Sequence, residues 1–180
     1  MKKTKGTFMQ YIVKGIKSNK TGAYNKILSK KAKKLLSQNI LPSDWYPFEI
    51  YKEFLNALAK VEARESMDVV RSWGHDFGKK AMTELYAQII EKGDVRSALD
   101  KYKRFSRIVF NFGIITIDFI SGSDVIVSYR DFDSDFKVYY YLAVGWIEKF
   151  VELCTGVMPK STFLLKSWEG AEITKFRISW

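Results

Sequence analysis

The sequence predicts a single α+β domain of 180 residues, with N-terminal helices followed by ββαββ and an antiparallel sheet covered by helices. Three observations predict this class. Apolar residues recur every three or four positions up to about residue 110, which is typical of amphipathic helices. The period then changes to two, which is typical of half-buried strands. One more helical stripe separates two strand pairs, so we place the helical part at about 6–110 and ββαββ at about 112–180.

The N-terminal part contains four or five predicted helices. The first covers about 8–18, and a basic amphipathic helix covers about 23–38. Two prolines within 41–47 predict a turn, and Pro47 is placed to begin a helix that runs to about residue 63.

The next predicted helix begins near Ser66 and stops at Gly93. Its small residues Gly74, Gly78 and Ala81 form a ridge at helical spacing. Because each glycine costs a helix about 1 kcal/mol relative to alanine, this ridge predicts close packing against another element.

The C-terminal part alternates strands with one long helix. Asp94 is predicted to cap the last helix before the strands, and a hairpin turns at 121–124. Aspartates at 133 and 135 are predicted to cap the long helix, which ends at Gly156. A second hairpin ends on the strand 172–180, which should close the core because its large apolar residues would otherwise stay in water. Those residues are Phe176, Ile178 and Trp180.

The net charge of +10 is unevenly distributed. Residues 1–43 hold 11 lysines and no acidic residue, whereas the other 137 residues hold 19 basic and 20 acidic groups. Such a basic face either keeps the protein soluble or attracts nucleic acid, anionic lipid or an acidic partner protein, and the sequence leaves both interpretations open. The predicted basic surface consists of Lys26, Lys30, Lys33 and Lys34.

Composition excludes several classes of protein. A hydrophobic content of 47% excludes global disorder, and a lone cysteine, Cys154, excludes an internal disulfide. The apolar run after the first residues is broken by Lys14 and Lys17, so we predict no secretion signal. The apolar stretches are too short for a membrane span, and we predict a cytoplasmic protein.

Candidate chemistry along the chain is sparse. His75 is the sole histidine, so any Ser-His-Asp or Cys-His mechanism would have to run through it, and Cys154 lies on an apolar stripe. The aspartates at 131, 133 and 135 lack the EF-hand pattern and are better explained as helix caps. We therefore predict no catalytic residues and no enzyme activity.

An apolar pocket between helices and sheet is the better-supported type of site. Aromatic residues make up 16% of the chain, and pockets for small molecules are concave and largely apolar. The predicted pocket candidates are Trp73, Phe77, Phe119, Tyr129, Trp146 and Phe176.

Several short motifs carry a resemblance over nearly the whole chain. They are Lys5-Gly6, the segment 41–47, the run 145–148, and the ending in which Gly170 precedes Phe176 and Trp180. With these motifs the chain resembles a bacterial family related to vinyl-reductase-type domains, haem-nitric-oxide-binding domains and TRAPP subunits. The resemblance implies an α+β ligand-sensing or interaction domain, with hydrophobic ligand, haem or metal sites in different branches.

Two departures limit what the resemblance implies about a cofactor. Many similar domains have a cysteine where this chain has Thr174, whose hydroxyl is a poor substitute for a soft sulfur ligand. The Tyr-x-Ser-x-Arg signature of the haem-binding branch is also absent, since the sequence around Tyr129 has neither the order nor the spacing. We therefore predict no cofactor, with haem bound through His75 as the alternative.

The functional hypothesis is a cytoplasmic sensory or regulatory domain that binds a hydrophobic small molecule or a protein partner without catalysis. A homodimer is left open. One alternative is binding of nucleic acid or an acidic partner through the basic N-terminal helices, and another is a haem-based sensor that uses His75.

Overall fold

The computed structural model describes residues 1–81 and 94–180, which form two compact units. Unit 1 comprises Met1–Met67 and Arg107–Phe112, and unit 2 comprises Asp68–Ser106 and Gly113–Trp180. The description of a single domain stays a prediction, and each unit is described in turn.

The predicted α+β class is confirmed, because N-terminal helices are followed by ββαββ, although the helical part also contains two short strands that were not predicted. The described helices are Gly6–Ser18 (α1), Ala23–Ile27 (α2), Lys30–Leu36 (α3), Phe48–Val61 (α4), Met67–Lys80 (α5), Val95–Val109 (α6) and Lys137–Thr155 (α7). The described strands are Lys3–Lys5 (β1), Trp45–Pro47 (β2), Ile114–Ser121 (β3), Asp124–Arg130 (β4), Lys160–Leu165 (β5) and Thr174–Ser179 (β6). Among the described helices, none is long and apolar enough to cross a lipid bilayer. The predicted helix stop at Gly93 lies outside the described residues.

In unit 1, α1 packs against α4. The strands β1 and β2 form a two-stranded sheet in the same unit. The predicted turn is present, with the Asp44 N–H donating to the Leu41 carbonyl oxygen, and it leads into β2, which pairs antiparallel with β1 so that Thr4 faces Tyr46. Gly6 comes directly after β1 and packs tightly against the backbone of Leu41. A Cβ at Gly6 would lie 1.9 Å from the Leu41 carbonyl oxygen, so a larger residue would not fit there. The last three residues of the segment 41–47 thus form a strand that the sequence did not predict, because the pairing partner β1 lies far away in the sequence.

The predicted basic helix over 23–38 is interrupted in the structure. Leu28 adopts an extended conformation, and the Ser29 side chain accepts a hydrogen bond from the Ala32 N–H, which begins α3 anew. Glu53 of α4 accepts hydrogen bonds from both the Ser29 N–H and its hydroxyl. A tertiary contact therefore stabilises the break that helical periodicity did not predict.

Unit 2 contains a four-stranded antiparallel sheet in the order β3-β4-β6-β5. Both predicted hairpins are present: β3 pairs with β4, and β5 pairs with β6. The two hairpins meet where β4 pairs with β6, which places Val127 opposite Phe176. Both of these side chains are fully buried, so the two hairpins share one core face.

Helix α7 is the most buried helix of unit 2. Gly156, in the left-handed conformation, ends it as predicted. Its N-cap, however, is Phe136, whose side chain makes no capping hydrogen bond, while Asp133 accepts a hydrogen bond from the Asp135 N–H just before the helix. The predicted aspartate caps therefore form a turn ahead of the helix, and burial of Phe136 sets where α7 begins.

The terminal strand closes the core of unit 2 largely as predicted. Phe176 and Ile178 are completely buried, whereas Trp180 lies just beyond β6 and stays partly exposed. Thr174 is also completely buried, and its hydroxyl lies 2.7 Å from the Ser167 hydroxyl. The position that matches a cysteine in similar domains is thus part of a buried hydroxyl pair.

Candidate functional site

The contact between α5 and α7 in unit 2 depends on three glycines. A Cβ at Gly74 would lie 2.1 Å from the Leu142 carbonyl oxygen, and one at Gly145 would lie 2.0 Å from the Arg71 carbonyl oxygen. Gly78 has little more room, since its Cβ would meet Trp146 and Lys149 at about 3 Å. The predicted small-residue ridge therefore brings the two helix backbones into direct contact.

This contact gives α5 two distinct flanks. Successive helical residues are rotated by about 100°, so the residues on either side of Gly74 point to opposite sides of the contact line. Trp73 and Phe77 lie on one flank and stay partly exposed. Arg71 and His75 lie four residues apart on the other flank.

Arg71 and His75 both bind Glu148, a carboxylate of α7 whose side chain is 1% exposed. Arg71 donates to both carboxylate oxygens, with its Nε 2.7 Å from Oε2. His75 Nε2 lies 2.9 Å from Oε2, and the Ser161 hydroxyl of β5 donates to Oε1. Four donors thus occupy a carboxylate that offers about four lone-pair sites. We call Arg71, His75, Glu148 and Ser161 the carboxylate clasp.

The carboxylate of the clasp is ionised. Burial alone would raise the pKa of Glu148, but hydrogen bonds from His75, Arg71 and Ser161 together hold that pKa below its ordinary range. The same contact raises the pKa of Arg71. An ionised carboxylate only accepts hydrogen bonds, so His75 Nε2 carries the proton in this contact.

The clasp is poorly suited to nucleophilic catalysis. His75 and Ser161 each bind Glu148 rather than each other, so no histidine base faces the serine hydroxyl. A carboxylate with a lowered pKa that is saturated by donors is also a weak base. The clasp instead joins α5, α7 and β5 within unit 2.

Sequence reasoning singled out only His75 of these four residues. A signal for Glu148 was present, because it is a charged residue within the apolar run of α7, where an unpaired carboxylate would be costly. Arg71 and His75 also share a helical face. Which basic group meets that carboxylate depends on the packing of α5 against α7, which the sequence does not specify.

Three of the six predicted pocket candidates are linked through contacts with Tyr102 in unit 2, and the role of all six stays a prediction. Tyr129 and Phe176 stack in the sheet core at 6.1 Å, and Trp146 packs against Tyr102 at 6.0 Å. Phe119 instead lies under the Arg96 guanidinium, 3.9 Å from ring centroid to Cζ.

A buried hydroxyl pair lies among these aromatic rings. The hydroxyl oxygens of Tyr102 and Tyr129 are 2.5 Å apart, and both side chains are almost fully buried. Burial raises the pKa of Tyr102 to about 12 and that of Tyr129 well above its ordinary value. Both phenols are therefore neutral near neutral pH and satisfy each other in an otherwise apolar core.

Replacing Tyr102 with phenylalanine is expected to lower the free energy of unfolding by about 1–2 kcal/mol, because the Tyr129 hydroxyl loses a buried partner. Urea denaturation monitored by circular dichroism measures the change. Tyr11→Phe is the matched control because Tyr11 is 42% exposed. Equal stability of Tyr102→Phe and the wild-type chain would contradict the importance of this pair.

The predicted basic surface lies in unit 1 on α2 and α3. Its four lysines, Lys26, Lys30, Lys33 and Lys34, are all exposed. Within the described ranges, none of them forms a salt bridge. Whether this surface has a partner stays a prediction.

Side chains that could bind a metal ion are not clustered among the described residues. Residues 1–81 and 94–180 contain no cluster of three or more histidine, cysteine, aspartate or glutamate side chains that could hold a metal ion. Cys154 is buried beside the Asp94 carbonyl oxygen, and burial raises the pKa of its thiol. A protonated thiol in this position is a small buried side chain rather than a reactive one.

Similarity to known proteins is found in the three-dimensional structure and not in the sequence. No protein-family model matches the sequence, and no curated protein matches it. The Fe(II)NO form of an H-NOX protein from S. oneidensis is similar with a TM-score of 0.68 and 10% identity over 97% of this chain and 98% of that one. An unliganded Fe(II) H-NOX mutant from K. algicida gives a TM-score of 0.64 and 11% identity over 97% and 95%. A structure from a study of heme distortion in the H-NOX family gives 0.65 and 13% over 98% and 94%.

These likenesses confirm the resemblance at the level of the fold. The chain has the fold of H-NOX (haem-nitric-oxide-binding) proteins over nearly its whole length. They also overturn the prediction of no cofactor, because solved structures with this fold include an Fe(II) H-NOX protein and an H-NOX protein studied for heme distortion. The prediction was wrong because it depended on the absence of one short motif, whereas the likeness extends over nearly the whole chain.

His75 does not fit an axial iron ligand in the geometry described. Its Nε2 carries the proton that Glu148 accepts, so the lone pair of a neutral ring lies on Nδ1. Nδ1 is bonded to Cγ, the ring atom that carries Cβ, so the residue's own backbone lies close to Nδ1 and obstructs a flat macrocycle. Tyrosine can also bind haem iron. The hydroxyl groups of Tyr102 and Tyr129, however, are protonated and form a hydrogen bond with each other.

Proposed function

We propose that this chain is a sensory domain rather than an enzyme, and that a flat apolar ligand of the haem class binds unit 2 against the aromatic flank of α5. The full-length likeness to H-NOX structures is the observation that carries the proposal. The carboxylate clasp is also consistent with sensing rather than catalysis. Its residues form hydrogen bonds with one another, so none of them is an activated nucleophile.

The geometry of α5 supports the aromatic flank as the ligand-binding side. Trp73 and Phe77 are the two pocket candidates on α5, and both stay partly exposed, so a ligand can reach them. Flat apolar molecules bind well against aromatic rings. The opposite flank carries Arg71 and His75, so a small rotation of α5 caused by the ligand would act directly on their hydrogen bonds to Glu148.

Titration of the purified chain with haemin tests the proposal. We expect a change in the Soret absorbance of haemin, and about tenfold weaker uptake by the Trp73→Ala/Phe77→Ala variant, since each lost aromatic contact costs about 0.5–1.5 kcal/mol. His75→Ala serves as the comparison on the opposite flank. Its Soret spectrum is expected to match that of the wild-type chain.

Two outcomes would contradict this proposal. A Soret spectrum lost or shifted only in His75→Ala would identify His75 as the axial ligand and refute the interpretation of its protonated Nε2. Absence of any haemin uptake by the folded wild-type chain would refute a ligand of the haem class.

A further inference from the structure

The net positive charge of this protein comes entirely from unit 1. That unit holds 15 lysine and arginine residues and five acidic residues, which gives a net charge of +10. Unit 2 holds 15 of each kind, so its net charge is zero. The proposed sensory function in unit 2 leaves this charge without a role.

Two of the acidic groups in unit 1 are engaged by neutral partners rather than by lysines. Glu53 accepts from the Ser29 backbone N–H and hydroxyl. Glu62 accepts from the Tyr24 hydroxyl at 2.9 Å and from the Asn19 amide at 2.9 Å. Both carboxylates keep their charge, and the net charge of +10 for unit 1 already includes them.

An open groove of about 630 Å³ lies on unit 1 between α1 and the segment that follows α3. Lys14, Lys17 and Tyr11 line one wall, and Gln38 and Asn39 line the other. Lys14 and Lys17 are exposed, and Tyr11 is 42% exposed. The groove therefore combines cationic groups, amide hydrogen-bonding groups and an accessible aromatic ring.

The walls of the groove are joined by two contacts. The Gln10 side chain donates to the Ile40 carbonyl oxygen at 2.8 Å, and Lys17 Nζ lies 3.5 Å from the Gln38 carbonyl oxygen. Helix α3, with its exposed lysines, ends just before this second wall. Positive charge thus continues along the chain from the basic surface of α3 into the groove.

We propose that this groove binds single-stranded nucleic acid, with the phosphates on Lys14 and Lys17 and a base against Tyr11. A cationic groove that follows a backbone, with aromatic rings for stacking, is the usual design of sites for single strands. Amide groups beside it can bond to base edges. The basic surface of Lys26, Lys30, Lys33 and Lys34 extends the electrostatic attraction beyond the groove.

An anionic membrane is a poorer match for the same charge. Membrane-surface helices insert apolar side chains between lipids, but the apolar lining of this groove is buried, with Val13 5% and Ile40 4% exposed. On α3, Ala32 is fully buried and the exposed side chains are lysines. A polyanion that offers bases to the groove fits these features better than a lipid surface does.

Fluorescence anisotropy of a labelled single-stranded oligodeoxythymidylate tests the proposal on the full chain. We expect Lys14→Glu/Lys17→Glu to weaken binding by about tenfold or more, and the slope of log affinity against log salt to fall by about 1.4 for two lost phosphate contacts. Both lysines are exposed, so circular dichroism is expected to be unchanged. The matched control is Lys160→Glu/Lys175→Glu, which makes the same charge change on unit 2 and is expected to shift binding by less than about threefold.

A second variant tests the aromatic contact. Tyr11→Ala is expected to weaken oligonucleotide binding by about fivefold or more with an unchanged salt slope, because stacking does not release counterions. Equal losses in the two double variants would overturn the proposal, since the effect would then reflect total charge. Displacement of the oligonucleotide by polyglutamate at equal charge, or binding of vesicles containing phosphatidylserine without binding of the oligonucleotide, would also overturn it.

Discussion

Replacing Gly145 with alanine is expected to lower the free energy of unfolding by about 3 kcal/mol or more. The new Cβ would lie 2.0 Å from the Arg71 carbonyl oxygen, and a backbone atom cannot move aside as a flexible side chain can. Forcing extra atoms into a packed interior typically costs about 1–3 kcal/mol, and this contact is closer than van der Waals distance allows. Helices α5 and α7 would have to separate, which also disrupts the hydrogen bonds of Arg71 and His75 to Glu148.

Urea denaturation of purified protein, followed by far-ultraviolet circular dichroism, measures this loss. The matched control is Gly122→Ala, because a Cβ at Gly122 meets nothing within 4 Å. That control is expected to change the free energy of unfolding by less than about 0.5 kcal/mol. A midpoint for Gly145→Ala equal to that of Gly122→Ala would refute the direct backbone contact between α5 and α7.

Replacing Glu148 with glutamine is expected to cost about 2–3 kcal/mol near neutral pH. The substitution keeps the shape of the side chain but removes the charge and turns an amide NH₂ toward groups that are themselves donors. Breaking a fully buried ion pair costs about 3–5 kcal/mol. The expected value is lower because Arg71 is 34% exposed and can regain some hydration.

The pH dependence gives this prediction a second measurement. The pKa of Glu148 is lower in the folded state than its ordinary value of about 4.3, so its contribution is fully present above that value. The contribution is lost as the pH falls through the lower folded-state pKa. The stability difference between the wild-type chain and Glu148→Gln should therefore shrink as the pH is lowered below about 4.

An exposed ion pair provides the control for this experiment. Lys166 Nζ lies 3.0 Å from Glu169, which is 58% exposed, so Glu169→Gln is expected to change stability by less than about 0.5 kcal/mol. If Glu148→Gln were as mild as Glu169→Gln at neutral pH, the clasp would not hold α5 against α7.

The order of elements could be predicted from the sequence because it depends on local periodicity. The change from a period near 3.6 to a period of two located the first hairpin, and Gly156 ended the long helix where a left-handed residue was expected. Burial of Phe176 and Ile178 followed from simple alternation. The ridge at Gly74 and Gly78 predicted close packing because glycine within a helix needs a compensating contact.

The errors arose where a distant partner overrides a local preference. Helix α2 ends before Ser29, and Ser29 caps α3, because Glu53, 24 residues away, accepts two hydrogen bonds from Ser29. Trp45–Pro47 is a strand because β1 pairs with it. No pattern within either segment specifies these contacts, since each needs a second segment at hydrogen-bonding distance.

The sequence by itself determined the α+β class, the sites of the hairpins and the concentration of positive charge near the N-terminus, because periodicity and composition are local properties. Only the tertiary structure decided that His75 turns its protonated Nε2 to Glu148, and that Arg71 joins it there. It also placed Lys14 and Lys17 opposite Gln38 across one groove. These arrangements join residues 21 to 77 positions apart, and only packing of the folded chain brings such residues within hydrogen-bonding distance.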